Sequence, residues 1–305
     1  MKLTEIIAEL ENHTGQFPRE ALARAIEEGE AITPVLLETL EKWKDNLEGL
    51  IDMPDYFLHI YALYLLAHFK EPKAYPLIIE FFSAPGKITL DVTGDLVTED
   101  LARILASVSN GNIEPVKQLI ENPQINEYVR GAALQSLLVL VAQGIISREL
   151  VIEYFEELFK TLLEQERSYD REPSFIWTNL VTNSAILYPL ELKEYIDQAF
   201  ELDLIELFFV RQEDIDYYLK QGKDATLEEL RKDRYYSLIE DTISELERWY
   251  CFQEEKPKIT RTKPLGLGKL ELSPEKKSNR KNKAKKRAKN KMQKQARRKN
   301  RSKKK

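Results

Sequence analysis

The sequence predicts an all-α protein, an irregular α-solenoid of antiparallel helix pairs followed by a disordered basic tail. Three observations carry the prediction. Apolar residues recur at helical spacing through most of residues 3–252. The connections between periodic stretches are too short for a strand and its crossover. The last thirty residues, Lys276–Lys305, hold 18 Lys or Arg and no acid, aromatic, Gly or Pro, a composition that cannot bury enough apolar area to offset ordering entropy.

Taken in order, MKLTEIIAELENH begins an amphipathic helix; Glu5, Glu9 and Glu11 break any apolar run a signal peptide would need. Phe57, Ile60, Tyr61, Tyr64 and Leu65 form a stripe that Leu58, Leu63 and Leu66 extend almost around a helix. Pro72 opens the next, with Ala74, Leu77, Ile78, Phe81 and Phe82. Thr98 stands as a cap before Glu99, Asp100 and the stripe Leu101, Ile104, Leu105 and Val108. Pro115 starts a short helix with Val116, Leu119 and Ile120 inward. Asn126 caps a helix bearing Leu134, Leu137, Leu138 and Val141 that ends near Gly144. Ser147 opens another, with Val151, Tyr154, Phe155, Leu158 and Leu162. Further helices are expected at about 174–187, 190–202 and 232–252, and a short one at 214–220 before Gly222. The pairs begin near 57, 98 and 126, with an insertion around 85–97, so the repeat is degenerate.

Beyond Gln253 the periodicity stops. Pro257, Pro264, Gly266, Gly268 and Pro274 make 253–275 a linker, giving a repeat domain at 1–252, the linker, and a tail at 276–305. The longest uncharged stretch, seventeen residues between Arg130 and Arg148, falls short of a membrane span. The lone cysteine, Cys251, excludes an internal disulfide framework and a cysteine-rich zinc site.

Charge divides the chain. The net −5 of the whole and the +18 of residues 276–305 leave −23 for residues 1–275. Attraction to a polyanion is the expected work of such a tail. The expected nucleic-acid contacts are Lys276, Lys277, Arg280, Lys281, Lys283, Lys285, Lys286, Arg287, Lys289, Lys291, Lys294, Arg297, Arg298, Lys299, Arg301, Lys303, Lys304 and Lys305. No aromatic stands among them to stack on bases, so sequence-specific readout is not expected.

Within the body, Asp91, Asp95, Glu99 and Asp100 are the densest acidic cluster with turn character. Converging carboxylates hold hard cations, but the spacing fits no Ca²⁺ loop, and acids at a helix start serve as caps and dipole partners. His59 and His68 fall on different helix faces, and no HExxH spacing exists around His13, His59 or His68. Asp55 stands one turn from His59, as a helix-start pair. Cys251, beside Trp249 and Phe252 at the end of the last long helix, reads as a buried small hydrophobe, with Glu247, Glu254 and Glu255 raising its pKa. Asn179 and Asn183, with Thr178 and Thr182, form a polar stripe that could line a partner-binding face. No phosphate-loop, dinucleotide or nucleophile-elbow string is present. No catalytic, cofactor or metal residue is assigned.

The segments TEDLARILASV at 98–108, NEYVRGAALQSLLVL at 126–140, RELVIEYFEEL at 148–158 and IEDTISELERWYCF at 239–252 resemble the bacterial domain-of-unknown-function family numbered 1186. NEYVRGAALQSL also resembles a HEAT-type repeat helix, in which Ala132 and Ala133 let neighbours approach. The resemblance covers about 1–252 and implies a HEAT-like helical repeat, a bacterial cytoplasmic setting and no assigned activity. Many relatives end in a SEC-C zinc motif. This chain has no cysteine after Cys251, so zinc binding does not carry over.

The functional expectation is a non-enzymatic adaptor: the body binds a protein partner, and the tail binds RNA, the ribosome or DNA. Two rivals stand beside it. The tail could mask the acidic body and so control assembly, or the chain could be an enzyme with an acidic site at Asp91, Asp95 and Glu99.

Overall fold

Residues 2–165 and 174–253 are described in a computed structural model. Among them are seventeen α-helices and no strand, and residues 1–253 form one compact unit. The N-terminal helices are α1 (Leu3–Glu11), α2 (Arg19–Glu27), α3 (Gly29–Trp43), α4 (Leu47–Ile51), α5 (Leu58–His68) and α6 (Ala74–Phe82). The middle comprises α7 (Ile88–Thr93), α8 (Leu96–Glu99), α9 (Leu101–Val108), α10 (Glu114–Glu121) and α11 (Glu127–Ala142). The remainder are α12 (Arg148–Gln165), α13 (Phe175–Ile186), α14 (Lys193–Glu201), α15 (Gln212–Gln221), α16 (Lys223–Lys232) and α17 (Thr242–Glu247).

Two helices apolar on every side form the spine. Leu58 through Ala67 are all buried, so α5 needs neighbours all round, and it has them in α1, α3, α9 and α17. Helix α11 is buried from Val129 to Ala142 except at Gln135, enclosed by α8, α9, α10, α12, α13 and α16. Its start follows the sequence: the Tyr128 N–H donates to the Asn126 side chain at 3.0 Å. Much of the packing joins helices close in order, α1 on α2, α3 on α5 and α6, α9 on α11, and α11 on α13.

Buried arginines cap helix ends. Arg130 Nε donates to the Ile120 carbonyl at the end of α10 at 2.8 Å. Arg148 donates to the Leu187 and Tyr188 carbonyls after α13, each at 2.6 Å. It also pairs with both oxygens of Glu191. Each guanidinium thus satisfies carbonyls that a helix C-terminus leaves without an intrahelical partner.

Three local expectations are corrected. Thr98 does not cap a helix: its hydroxyl donates to the Asp95 carbonyl inside α8, and α9 begins after Asp100. The short helix expected at 214–220 is present as α15 and ends at Gly222, whose φ of 87° suits glycine, but a second helix, α16, follows where none was expected. The helix expected over 232–252 is broken. A 3₁₀ turn at Arg234–Tyr236 leads through non-helical residues to α17, and a second turn, Tyr250–Phe252, follows.

The physical reason is that other helices use the backbone of residues 236–239. Arg103 donates through Nε to the Ser237 carbonyl at 3.0 Å and through Nη2 to the Leu238 carbonyl at 3.1 Å. The Ile239 N–H donates to Ser107 Oγ at 2.9 Å, and Gln143 Nε2 donates to the Tyr236 carbonyl at 3.0 Å. Asp241 then caps α17 by accepting from the Ser244 N–H at 3.0 Å. Helix α17 packs on α2 and α5, so the C-terminal segment returns to the N-terminal helices. A stack of nearest neighbours alone contains no such contact.

Candidate functional site: an acidic and aromatic cleft

The return of the C-terminal segment opens a cleft against the α7–α8 corner. Helix α7 ends at Gly94, with φ 58° and ψ −136°, a conformation that only glycine adopts without strain. That turn brings Asp91, Asp95 and Glu99 to one cleft of about 640 Å³. Phe57, Ile60 and Val92 form its apolar side, and the C-terminal segment adds Arg234, Tyr235, Arg248, Trp249, Tyr250 and Cys251. Phe57 and Trp249 meet edge to face, with centroids 6.2 Å apart and planes at 85°. Trp249 also packs edge-on to Tyr64 at 5.8 Å.

A buried charge network forms the floor. Tyr64 Oη donates to Asp100 Oδ2 at 2.5 Å, and Arg103 Nη1 donates to Asp100 Oδ1 at 2.8 Å. Arg103 Nη2 donates to Glu245 Oε1 at 2.6 Å, and Arg248 pairs with the other oxygen of Glu245. Burial alone would raise the Glu245 carboxyl, but its hydrogen bond to Arg103 and the charges of Arg103, Arg248 and Arg234 hold it below the usual carboxylate range. Burial, with Asp100 alongside, pushes the Tyr64 hydroxyl well above its ordinary value.

The sequence read Asp91, Asp95 and Glu99 as one cluster and Cys251 with Trp249 as another; the fold puts both on one cleft. Asp100 leaves the surface set, being 3 % exposed and bound to Tyr64 and Arg103. Among the described residues, no group of three or more His, Cys, Asp or Glu is arranged to hold a metal ion. Cys251 corrects its expectation. It is exposed at the rim and not buried, though the protein around it still raises the thiol's pKa by desolvation.

The remaining candidates lie elsewhere. Asn183 is buried, and Asn179 donates to the Phe175 carbonyl one turn back at 2.9 Å. Asn179 also lies against Gly131 of α11, where a Cβ would come within 3.2 Å of its amide. Thr178 is engaged away from that contact and accepts from the Glu206 N–H at 3.0 Å. His59 is buried; its Nε2 donates to the Val92 carbonyl at 2.8 Å, and its ring stacks with Tyr56. His13 stacks on Phe57 and meets Phe252 edge-on. The eighteen basic residues from Lys276 to Lys305 lie outside the described residues. Sequence reasoning missed Arg234, Tyr235 and Arg248 as cleft residues. Nothing local marks them, because the residues of the α7–α8 corner that they face are more than a hundred positions away.

Among the described residues no helix is long and apolar enough to cross a membrane. The model of a protein family of unknown function, DUF1186, matches residues 1–253. An uncharacterized protein of Chlamydia trachomatis serovar D is 41% identical over 250 residues, 82% of this chain and 96% of the relative. An uncharacterized protein of Chlamydia muridarum is 40% identical over 250 residues, 82% of this chain and 97% of the relative. No solved structure matches. With the family model spanning the whole helical body and both relatives matched almost end to end, the chain belongs to the DUF1186 family.

Proposed function

We propose that the chain is a non-enzymatic interaction protein whose acidic body engages a protein partner and whose basic segment 276–305 holds the assembly on nucleic acid. The observation that carries this reading is the segregation of charge, −23 over residues 1–275 against +18 over 276–305. A body of that sign repels phosphate, so nucleic-acid contact falls to the basic segment. RNA or the ribosome is favoured over DNA because a Lys/Arg/Asn-rich arm fits irregular RNA grooves. The cleft supports binding rather than nucleophilic chemistry. A nucleophilic thiol needs a lowered pKa, and that of Cys251 is raised. The family match ends at residue 253, which supports separate roles for body and basic segment. The single cysteine and the bacterial relatives support a cytoplasmic setting.

Affinity purification with and without nuclease tests the reading. Full-length protein should carry RNA, and a variant with Lys283, Lys285, Lys286 and Arg287 changed to Gln should carry less. Protein partners of the body should stay bound after nuclease. If full-length protein binds no nucleic acid at low salt while a 270–305 peptide does, the masking rival takes its place. If neither binds, the polyanion assignment fails.

A further inference from the structure

We infer that the cleft at the α7–α8 corner is a receptor for a lysine or arginine side chain presented by a protein partner. The inference rests on the body being an interaction module and names the chemistry of its partner. Three of the lining carboxylates, Asp91, Asp95 and Glu99, are exposed. Among the described residues their side chains make no ion pair or hydrogen bond. The other charges are mostly in use: Asp100 is held by Arg103 and Tyr64, and Arg248 by Glu245. What remains is three free carboxylates against the guanidinium of Arg234.

Aromatic geometry narrows the ligand. The perpendicular rings of Phe57 and Trp249 form two walls, Tyr250 stands at the rim, 90% exposed, and the Tyr235 ring carries the Arg234 guanidinium at 5.3 Å. Ring faces beside carboxylates attract an organic cation through both the quadrupole and the charge. The aliphatic stem of such a side chain gains from lying along Ile60 and Val92. A cleft of this volume holds one long side chain with its flanking backbone.

Arg234 selects the source of that cation. A free polyamine is cationic along its length and sets a like charge against Arg234. A peptide brings carbonyl oxygens to which Arg234 can donate. Exposed tyrosines are also characteristic of protein interfaces.

The test uses full-length protein with two probes, a capped peptide of three lysines spaced by glycine, and spermidine. Carbodiimide couples a carboxylate to a primary amine held against it, and mass spectrometry of the digest maps the acids coupled. Asp91, Asp95 and Glu99 should couple to the peptide well above exposed acids elsewhere, such as Glu157, Glu213 and Asp216, and far less to spermidine. The triple variant Asp91→Asn, Asp95→Asn, Glu99→Gln should weaken peptide binding by calorimetry on the order of tenfold, equivalent to ~1.4 kcal/mol. Tyr250→Ala, at an exposed position, should weaken it severalfold with the melting temperature unchanged. Even coupling over all exposed acids, preference for spermidine, or coupling of these three acids to the chain's own lysines in place of the probe overturns the assignment. Loss of RNA binding leaves these readouts untouched, so this inference and the nucleic-acid reading fail separately.

Discussion

Arg103 is the residue on which the C-terminal segment depends. Its guanidinium is buried between Asp100 and Glu245 and also donates to Ser237 and Leu238. Arg103→Met leaves two carboxylates in the floor of the cleft short of their partner. Removing one member of a buried ionic network costs about 3–5 kcal/mol, so the urea midpoint should fall accordingly. A loss under about 1 kcal/mol is the value of a solvated surface pair, and would show that water reaches the network. His59 makes a second, pH-dependent contribution. Burial lowers its pKa to about 4, against the weaker opposing effect of the Val92 carbonyl. The native state therefore holds His59 neutral, while the unfolded chain takes up a proton below about pH 6.5. Stability is then full above that value and falls as pH drops toward 4, by about 3 kcal/mol. In His59→Gln, whose amide can still donate to Val92, this part of the acid loss should vanish from melting curves taken between pH 7 and pH 4. Equal acid losses in both proteins would show that the carboxylates, and not His59, govern the decline.

At the scale of elements, the C-terminal segment is a short helix held by polar contacts and by two buried side chains, Thr242 in its first turn and Leu246 in its last. Leu246 of α17 is fully buried, and α17 packs on α2 and α5. Leu246→Ala should cost about 2–5 kcal/mol, as large-to-small core changes do. The loss should be local in hydrogen exchange. The Ile239 N–H, held by Ser107 Oγ, should lose protection before amides in the middle of α11, which is enclosed by six helices. Uniform loss across the body would mean that the segment belongs to the same cooperative unit as the spine. The same interface shows why a helical stripe misled the sequence reading. Leu238, Ile239, Ile243 and Leu246 are spaced as in one helix, yet side chains of α9 compete for the backbone ahead of Thr242, and the competition wins there.

Over the whole molecule, charge is the organising quantity. If the basic segment neutralises on the order of 6–10 phosphates, affinity for duplex DNA should fall about 10³–10⁵-fold between roughly 50 and 200 mM salt. Single-stranded RNA should show a shallower slope, and scrambling its sequence should change affinity little. Flat salt dependence would remove the electrostatic basis of the reading. Binding in the cleft should respond to salt more weakly, because Phe57 and Trp249 contribute alongside the carboxylates.

The sequence alone determined the all-helical class, the burial of the 57–68 and 126–142 helices, the Asn126 cap and the division of charge. All of these follow from local periodicity, capping chemistry or composition, which act between residues a few positions apart. The acids Asp91, Asp95 and Glu99 were also visible in the sequence, as a cluster without a role. The tertiary structure decided that Asp100 turns inward to Arg103 and Tyr64, that Cys251 is exposed, and that Trp249 and Tyr250 stand opposite those acids. The placement of Trp249, Tyr250 and Cys251 depends on hydrogen bonds spanning 132 to 178 residues, from Ser107 to Ile239 and from Tyr64 to Thr242. Such pairings leave no local pattern, because what selects them is the packing of the helices between.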